Sequence, residues 1–199
     1  MWSVVSVSAA IVLALAAGVS AQVTGERGGE RGGGIAVEEP QARLDRLFAE
    51  LKRAGNERAA ARISQRIRSE WSKSGSATID LLMQRSNKAV EEKKFDVALD
   101  YLDEIVTLAP AYAEGWNLRA TVHFARDDYA RSMADIDRVL RLEPRHFGAL
   151  SGMAAILKAT GHDAAAAGVY ERLLALYPMM RAAQAELGKL ADEMAGQGI

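Results

Sequence analysis

Three histidines, His123, His146 and His162, are the side chains of this sequence that could act as bases near neutral pH. Histidines serve as metal ligands or general bases when they lie together, but no two of these stand at a metal-ligand spacing. The chain has no cysteine, which excludes a disulfide, a thiolate metal site and a cysteine nucleophile. We therefore interpret the histidines as structural or solvated and predict no catalytic residue, no metal site and no cofactor.

Two acidic pairs and a glycine-rich tract could also carry chemistry. Glu91-Glu92 and Asp127-Asp128 lie at predicted helix ends, where carboxylates are ordinary solvated or capping groups. Residues 24–34 read TGERGGERGGG. This tract is a charged linker and not the strand-to-helix turn that cradles a phosphate. The sequence thus predicts a protein that is not an enzyme.

The prolines reveal how the chain is organised. Pro110, Pro144 and Pro178 are 34 residues apart, and each closes a leucine-x-proline triplet. A period of this length marks a stack of helical hairpins, each too small to bury its own apolar face. The composition, 49% hydrophobic but only 6% aromatic, suits close-packed helices better than a sheet. We predict an all-α fold, a right-handed α-solenoid of stacked antiparallel helix pairs.

The period places three units in register, at residues 79–112, 113–146 and 147–180. Small residues recur in equivalent columns, where two helices must approach closely. They are Ser86, Ala120 and Ala154 in the first helices, and Ala98, Ser132 and Ala166 in the second. The breaks between the two helices of each unit are predicted at Lys93-Lys94, Asp127-Asp128 and Gly161-His162.

These columns resemble the tetratricopeptide repeat family. In the second unit Trp116, Ala120, Tyr129 and Pro144 carry the match, whereas the third unit has Asp163 at the usual aromatic place. Residues 41–74 look like a degenerate unit with no closing proline, and residues 181–196 like a capping helix. We expect a kink or looser packing at residues 75–78, which are additional to the repeat.

The resemblance implies that the first helices line a concave groove that binds an extended peptide. The positions that would face the partner are Met83, Asn87, Val90, Asn117, Thr121, Phe124, Ser151 and Lys158. Some relatives clamp a C-terminal carboxylate there, but in this sequence only Asn87 is in place. Met83, Gly148 and Gly152 occupy sites that would need to be basic, so this binding mode is not predicted. The alternative is that partners use the convex face or the ends.

Arginine recurs at a position that is usually leucine in this family, at Arg85 and at Arg119. One interpretation is an arginine whose stem packs while its guanidinium reaches solvent or a carboxylate. The other is a row of arginines that makes electrostatic contacts with a carboxylate-bearing partner.

Charge is distributed unevenly along the chain. The formal net charge is −1, so no global field favours nucleic acid. Residues 41–73 carry nine basic and four acidic residues, a net charge of +5, whereas residues 79–112 carry four and seven, a net charge of −3. This asymmetry is either plain solvated surface or a means of steering a partner.

The N-terminus has the pattern of a signal peptide. Residues 4–18 are an apolar run, and Val19-Ser20-Ala21 fits the small-x-small rule for cleavage before Gln22. The run has no preceding lysine or arginine, and an uncleaved anchor is the alternative. We predict a signal peptide at residues 1–21, a glycine-rich linker at 22–40 that cannot order itself, and a helical domain at 41–196.

Together these observations predict a non-catalytic protein-interaction scaffold in the bacterial periplasm or cell envelope. Its partner would be a protein or peptide, not nucleic acid, and any membrane contact would pass through the N-terminal segment. Two alternatives stay open. One is a self-associating structural protein, a homo-oligomer built through the degenerate first unit near Trp71. The other is an accessory subunit of an envelope enzyme.

Overall fold

The computed structural model describes residues 39–196, and within this range all regular secondary structure is α-helical. The helices are α1 (Pro40–Lys52), α2 (Glu57–Trp71), α3 (Ala77–Glu91), α4 (Phe95–Leu108), α5 (Ala113–Ala125), α6 (Tyr129–Leu142), α7 (Phe147–Ala159), α8 (Asp163–Leu176) and α9 (Arg181–Gly196). Each helix from α3 to α9 packs on its neighbour in sequence. The predicted all-α solenoid of helix pairs is therefore confirmed.

Each predicted break within a unit is a tight helix C-terminus. Lys93 and Asp127 have φ of 58° and Gly161 has φ of 75°, so each lies in the left-handed region that ends a helix. At the first break the backbone N–H of Lys94 donates to the carbonyl of Ala89 (N···O 2.8 Å), and the other two breaks repeat this bond. These bonds satisfy carbonyls that the helix end would leave unpaired.

Small residues bring the helices of a unit together. All six column residues predicted to lie at close approaches are buried, and the Ser132 hydroxyl donates to the Ala120 carbonyl (Oγ···O 2.8 Å). The helices of successive units approach closely at Gly115, where a Cβ atom would stand 2.6 Å from Cγ2 of Ile105. Only glycine fits this contact without a shift of the neighbouring helix.

The closing prolines have a second role that the repeat pattern did not predict. The Arg138 guanidinium donates to the Pro110 carbonyl (Nη2···O 3.3 Å), and Arg172 donates to Pro144 in the same way (2.8 Å). Both bonds join residues 28 positions apart, so each ties a second helix to the end of the preceding unit.

The first helix pair departs from the series. We define helices α1 and α2 as the N-terminal hairpin. It lies in the segment predicted as a degenerate unit, and it packs against the third unit instead of stacking before α3. One buried cluster joins the two parts, with side chains that include Leu47, Leu51, Ile67, Leu150, Tyr170 and Leu173. The connection at residues 72–76 joins α2 to α3 and contains Gly75, whose φ is 77°.

Polar contacts tie the hairpin to loops that are distant in sequence. Arg145 Nη1 lies 2.7 Å from Asp45 Oδ1, and Arg181 Nε lies 2.8 Å from Glu57 Oε2. Just after the end of α2, the Ser72 carbonyl accepts a hydrogen bond from the Tyr112 hydroxyl (O···O 3.1 Å). Burial raises the pKa of Tyr112, so its hydroxyl stays protonated and able to donate. The hairpin thus spans the loops that join the three units.

Two predictions concern residues at the N-terminus. The predicted signal peptide at residues 1–21 and the linker up to residue 38 lie outside the described residues. Folded structure was expected just after Pro40, and Pro40 itself opens α1, where its missing N–H is not needed. Within residues 39–196, no helix has the length and apolar character required to cross a membrane.

Candidate functional site

Two cavities contain most of the residues predicted to face a partner. The α3 cavity, of about 680 Å³, is lined by Ser72, Asp80, Met83, Gln84, Asn87, Lys88, Glu91, Glu92 and Tyr112. The α5–α7 cavity, of about 140 Å³, is lined by Asn117, Ala120, Thr121, Phe124, Ser132, Ile136, Gly148, Ala149 and Gly152. The first is mixed and open, whereas the second is smaller and mostly apolar. The predicted residues among these are Met83, Asn87, Asn117, Thr121 and Phe124, all on the first helices of their units.

A third space, the bridging cavity of about 220 Å³, has lining residues in common with each of the other two. It shares Ser72, Met83, Asn87 and Tyr112 with the α3 cavity and Asn117 with the α5–α7 cavity. Its other lining residues are Arg68, Glu114 and Leu118. The three cavities together form one surface across α3, α5 and α7, which we call the groove.

The N-terminal hairpin contributes to this groove. Arg68 and Ser72, near the end of α2, line the bridging cavity together with Asn87. The guanidinium of Arg68 donates to the Gln65 side chain (Nη2···Oε1 2.7 Å) and lies 5.9 Å from the centre of the Phe147 ring. Sequence reasoning missed both residues because α2 stands outside the 34-residue register. No column comparison could have placed it here.

Three predicted groove residues make contacts within the fold instead. Val90 packs, partly buried, against the core of the first unit. The Ser151 hydroxyl donates to the Phe147 carbonyl one turn earlier (2.8 Å). Lys158 pairs with Glu186 of α9 (Nζ···Oε2 2.8 Å). Hydrogen bonds from Lys158 and from Lys189 lower the pKa of Glu186 to about 2. The structure does not bring these three into the cavities defined above.

The two recurring arginines have different surroundings. Arg119 makes a two-bond contact with the buried carboxylate of Asp135 (Nε···Oδ2 2.8 Å, Nη2···Oδ1 2.7 Å) and a third bond to Asp103. Its guanidinium also lies 4.8 Å from the Trp116 ring, and its hydrogen bond to Asp135 raises its pKa. Arg85 is exposed on α3. The intramolecular partners of Arg119 favour the packing interpretation at that position.

The histidines are parts of the scaffold. His146 is 2% exposed and caps α7, because its Nδ1 accepts from the backbone N–H of Ala149 (3.1 Å). Since Nδ1 is an acceptor, Nε2 carries the proton and donates to Glu114 Oε1 (3.2 Å). His123 is buried, and desolvation lowers its pKa despite the nearby carboxylate of Asp135.

The described residues contain no arrangement of side chains suited to holding a metal ion. Between residues 39 and 196, no three histidine or acidic side chains form a cluster that could hold a metal ion. His162 lies exposed in a turn beside the Thr160 hydroxyl (Nδ1···Oγ1 3.0 Å). What the described surface offers is a groove with amides, carboxylates and apolar side chains, which suits binding.

Comparison with known proteins identifies the family. A TPR repeat-containing protein of Rhizobium etli is 52% identical over 161 residues, which cover 81% of this chain and 79% of that protein. The chain belongs to the tetratricopeptide repeat (TPR) family. No protein-family model matches the chain. The resemblance drawn from the repeat columns is therefore confirmed by a relative that spans most of the sequence.

Solved structures agree with this assignment. The first TPR domain of Spaghetti (RPAP3), bound to the HSP90 peptide SRMEEVD, is 26% identical, with a TM-score of 0.56 over 59% of this chain and 93% of that domain. The first TPR domain of human RPAP3 is 25% identical, with a TM-score of 0.56 over 60% and 94%. This TPR protein thus resembles two TPR domains, one of which was solved with a bound peptide.

Proposed function

We propose that this TPR protein is a non-catalytic interaction module that binds an extended protein segment in its groove. The observation that carries the proposal is the continuity of the three cavities across α3, α5 and α7. Asn87 and Thr121 are exposed there, Asn117 is partly exposed, and Phe124 keeps 36% of its surface accessible. Side-chain amides can hydrogen-bond the backbone of an extended peptide, and apolar groups can contact its side chains.

The peptide-bound relative supports the mode of binding but not the same ligand. The Spaghetti domain holds an acidic peptide. The TPR proteins that clamp a terminal carboxylate need basic residues at positions where this chain has Met83, Gly148 and Gly152. Without basic residues at these positions, the groove lacks the charge complementarity that an acidic terminus requires. We therefore propose a different peptide chemistry for this groove.

Substitutions in the middle of the groove test the proposal. Dodecapeptides selected on the full-length protein from a random displayed library are the probe, and their affinity is measured by fluorescence anisotropy. We expect Asn117→Ala and Phe124→Ala each to weaken binding about tenfold, because each removes a group at the centre of the surface. Leu108→Ala is the control, since Leu108 is 57% exposed on α4 outside the groove. Equal effects of all three substitutions would contradict the assignment.

Export to the periplasm or cell envelope is part of the proposal. It is supported by the apolar run at residues 4–18, the small-x-small end at Ala21, and a relative that comes from a bacterium. Mass spectrometry of the protein from its native cells should find a mature chain that begins at Gln22. A chain that begins at Met1 and sediments with membranes would instead support the uncleaved anchor.

The alternatives have less structural support. Self-association was suggested by apolar residues of the first helix pair, but Trp71 is only 9% exposed and packs against the third unit of the same chain. The observation that motivated that alternative is thus explained by intramolecular contacts. An accessory role beside an envelope enzyme is compatible with the peptide-binding proposal.

A further inference from the structure

The α5–α7 cavity exists because α7 has glycine at two groove positions. Gly148 and Gly152 stand one turn apart on the same helix face, and neither adopts a positive φ. Glycine is among the poorest helix formers, and no turn or left-handed backbone requires it here. A Cβ atom at residue 152 would stand 3.2 Å from Cδ1 of Ile136. The two glycines therefore keep open a space that almost any other residue would narrow.

The interior of this cavity is apolar. Its floor consists of Ala120 and Ile136, both at most 3% exposed. The two hydroxyls in its wall are already engaged, because Ser132 donates to the Ala120 carbonyl and Thr121 to the Asn117 carbonyl (2.9 Å). Phe124 closes one side with an accessible ring. A cavity of this size, about 140 Å³, is close to one that admits a benzene molecule. It has room for one aliphatic side chain.

The other end of the groove is acidic. The α3 cavity has three carboxylates, Asp80, Glu91 and Glu92, but one cation, Lys88. Glu92 is partly neutralised by Lys94 (Oε2···Nζ 2.7 Å). In the bridging cavity Arg68 and Glu114 balance each other formally. The whole unit of residues 79–112 also has a net charge of −3, so the side chains of this unit favour a positively charged group over α3.

We propose that the groove selects an extended segment of a partner protein that carries one aliphatic and one basic side chain. The aliphatic side chain enters the α5–α7 cavity at Gly152, and the basic side chain lies over the carboxylates of the α3 cavity. This inference rests on the proposed function and specifies its ligand. The charge preference is opposite in sign to that of the acidic peptide held by the Spaghetti domain.

The anchor cavity is tested with a pair of glycine substitutions. Gly152→Ala narrows the cavity, whereas Gly168→Ala adds the same methyl group on α8, where a Cβ atom meets nothing within 4 Å. Both changes raise helix propensity equally. With dodecapeptides selected on the wild-type full-length protein, we expect Gly152→Ala to weaken binding about tenfold and Gly168→Ala to leave it unchanged.

The charge preference is tested with a matched pair of glutamates in one unit. Glu91 lines the α3 cavity, whereas Glu104 is exposed on the outer helix α4. We expect the selected peptides to carry net positive charge, and Glu91→Gln to weaken their binding about threefold at low salt, with Glu104→Gln neutral. Raising the ionic strength should reduce the difference, since an exposed ion pair is screened.

The outcomes separate this inference from the proposed function. Peptides that depend on Asn117 but show neither an aliphatic residue nor a positive charge would overturn the inference and leave groove binding intact. Selection of acidic peptides, or equal affinities of the Gly152→Ala and Gly168→Ala variants, would do the same. A library that yields no binder, or binders indifferent to Asn117 and Phe124, would overturn both.

Discussion

Replacing Trp71 with alanine will lower the free energy of unfolding by about 3–5 kcal/mol. Trp71 ends α2 and lies at the centre of the contact between the N-terminal hairpin and the third unit. Its ring stacks on His146 with centroids 4.3 Å apart, and it also meets Phe147 at 4.9 Å and Phe48 at 5.8 Å. Removing it leaves a cavity where three parts of the chain meet. Urea denaturation followed by circular dichroism measures the loss.

Trp71→Phe is the matched control for this substitution. The indole N–H of Trp71 is buried and has no hydrogen-bond partner among the described residues, so its removal forfeits no hydrogen bond. Phenylalanine keeps most of the ring contacts, and we expect a loss of only about 1 kcal/mol. Hydrogen exchange should also show faster exchange across α1 and α2 in Trp71→Ala. If both variants are as stable as the wild type, the hairpin does not dock on the third unit in solution.

Removing the carboxylate of Asp135 will cost about 3 kcal/mol. Asp135 is 4% exposed and holds the Arg119 guanidinium through two hydrogen bonds. Without it the Arg119 cation, whose side chain is 18% exposed, keeps the exposed carboxylate of Asp103 as an ion-pair partner and loses the buried one. A buried charge that loses its partner costs more than the pair contributed. The measurement is the free energy of unfolding of Asp135→Ala.

A double substitution separates packing from partner binding at this pair. Arg119→Met alone should lower stability because it leaves the buried Asp135 carboxylate unpaired. Adding Asp135→Leu should recover much of that loss, since the double variant has neither charge. Neither variant should change the affinity for selected peptides, since Arg119 is occupied within the fold. Arg85→Met is the control at the equivalent exposed position of α3. Lost peptide affinity in a stable Arg119→Met variant would support the binding interpretation instead.

The helices and their breaks were predictable because local chemistry encodes them. The positive φ at Lys93 and Asp127 comes directly after helices whose patterns end there, and Pro110 cannot continue the helix before it. Small residues such as Ala98 and Ala166 marked the helix contacts, because any larger residue would hold two helices apart. These features depend on residues that are near one another in the chain, so a repeating sequence repeats them.

The groove was predictable only in part. Asn87, Asn117 and Phe124 line the cavities as the columns indicate, because first helices of successive units stand side by side. Val90 and Lys158 were assigned by the same columns, yet contacts from the unit's own core and from α9 engage them. A column gives the direction of a side chain from its helix axis. It does not say which neighbouring side chain reaches it first.

The amino-acid sequence alone indicated the repeat family, the breaks between helices and the three units in register, since these follow from residue type and spacing. Only the tertiary structure decided where the N-terminal hairpin docks, that Arg68 borders the groove, and that Gly148 and Gly152 open a cavity. The physical reason is the sequence separation of the contacts involved. Asp45 and Arg145 are 100 residues apart, and such a contact depends on the shape of two folded surfaces, which no local pattern records.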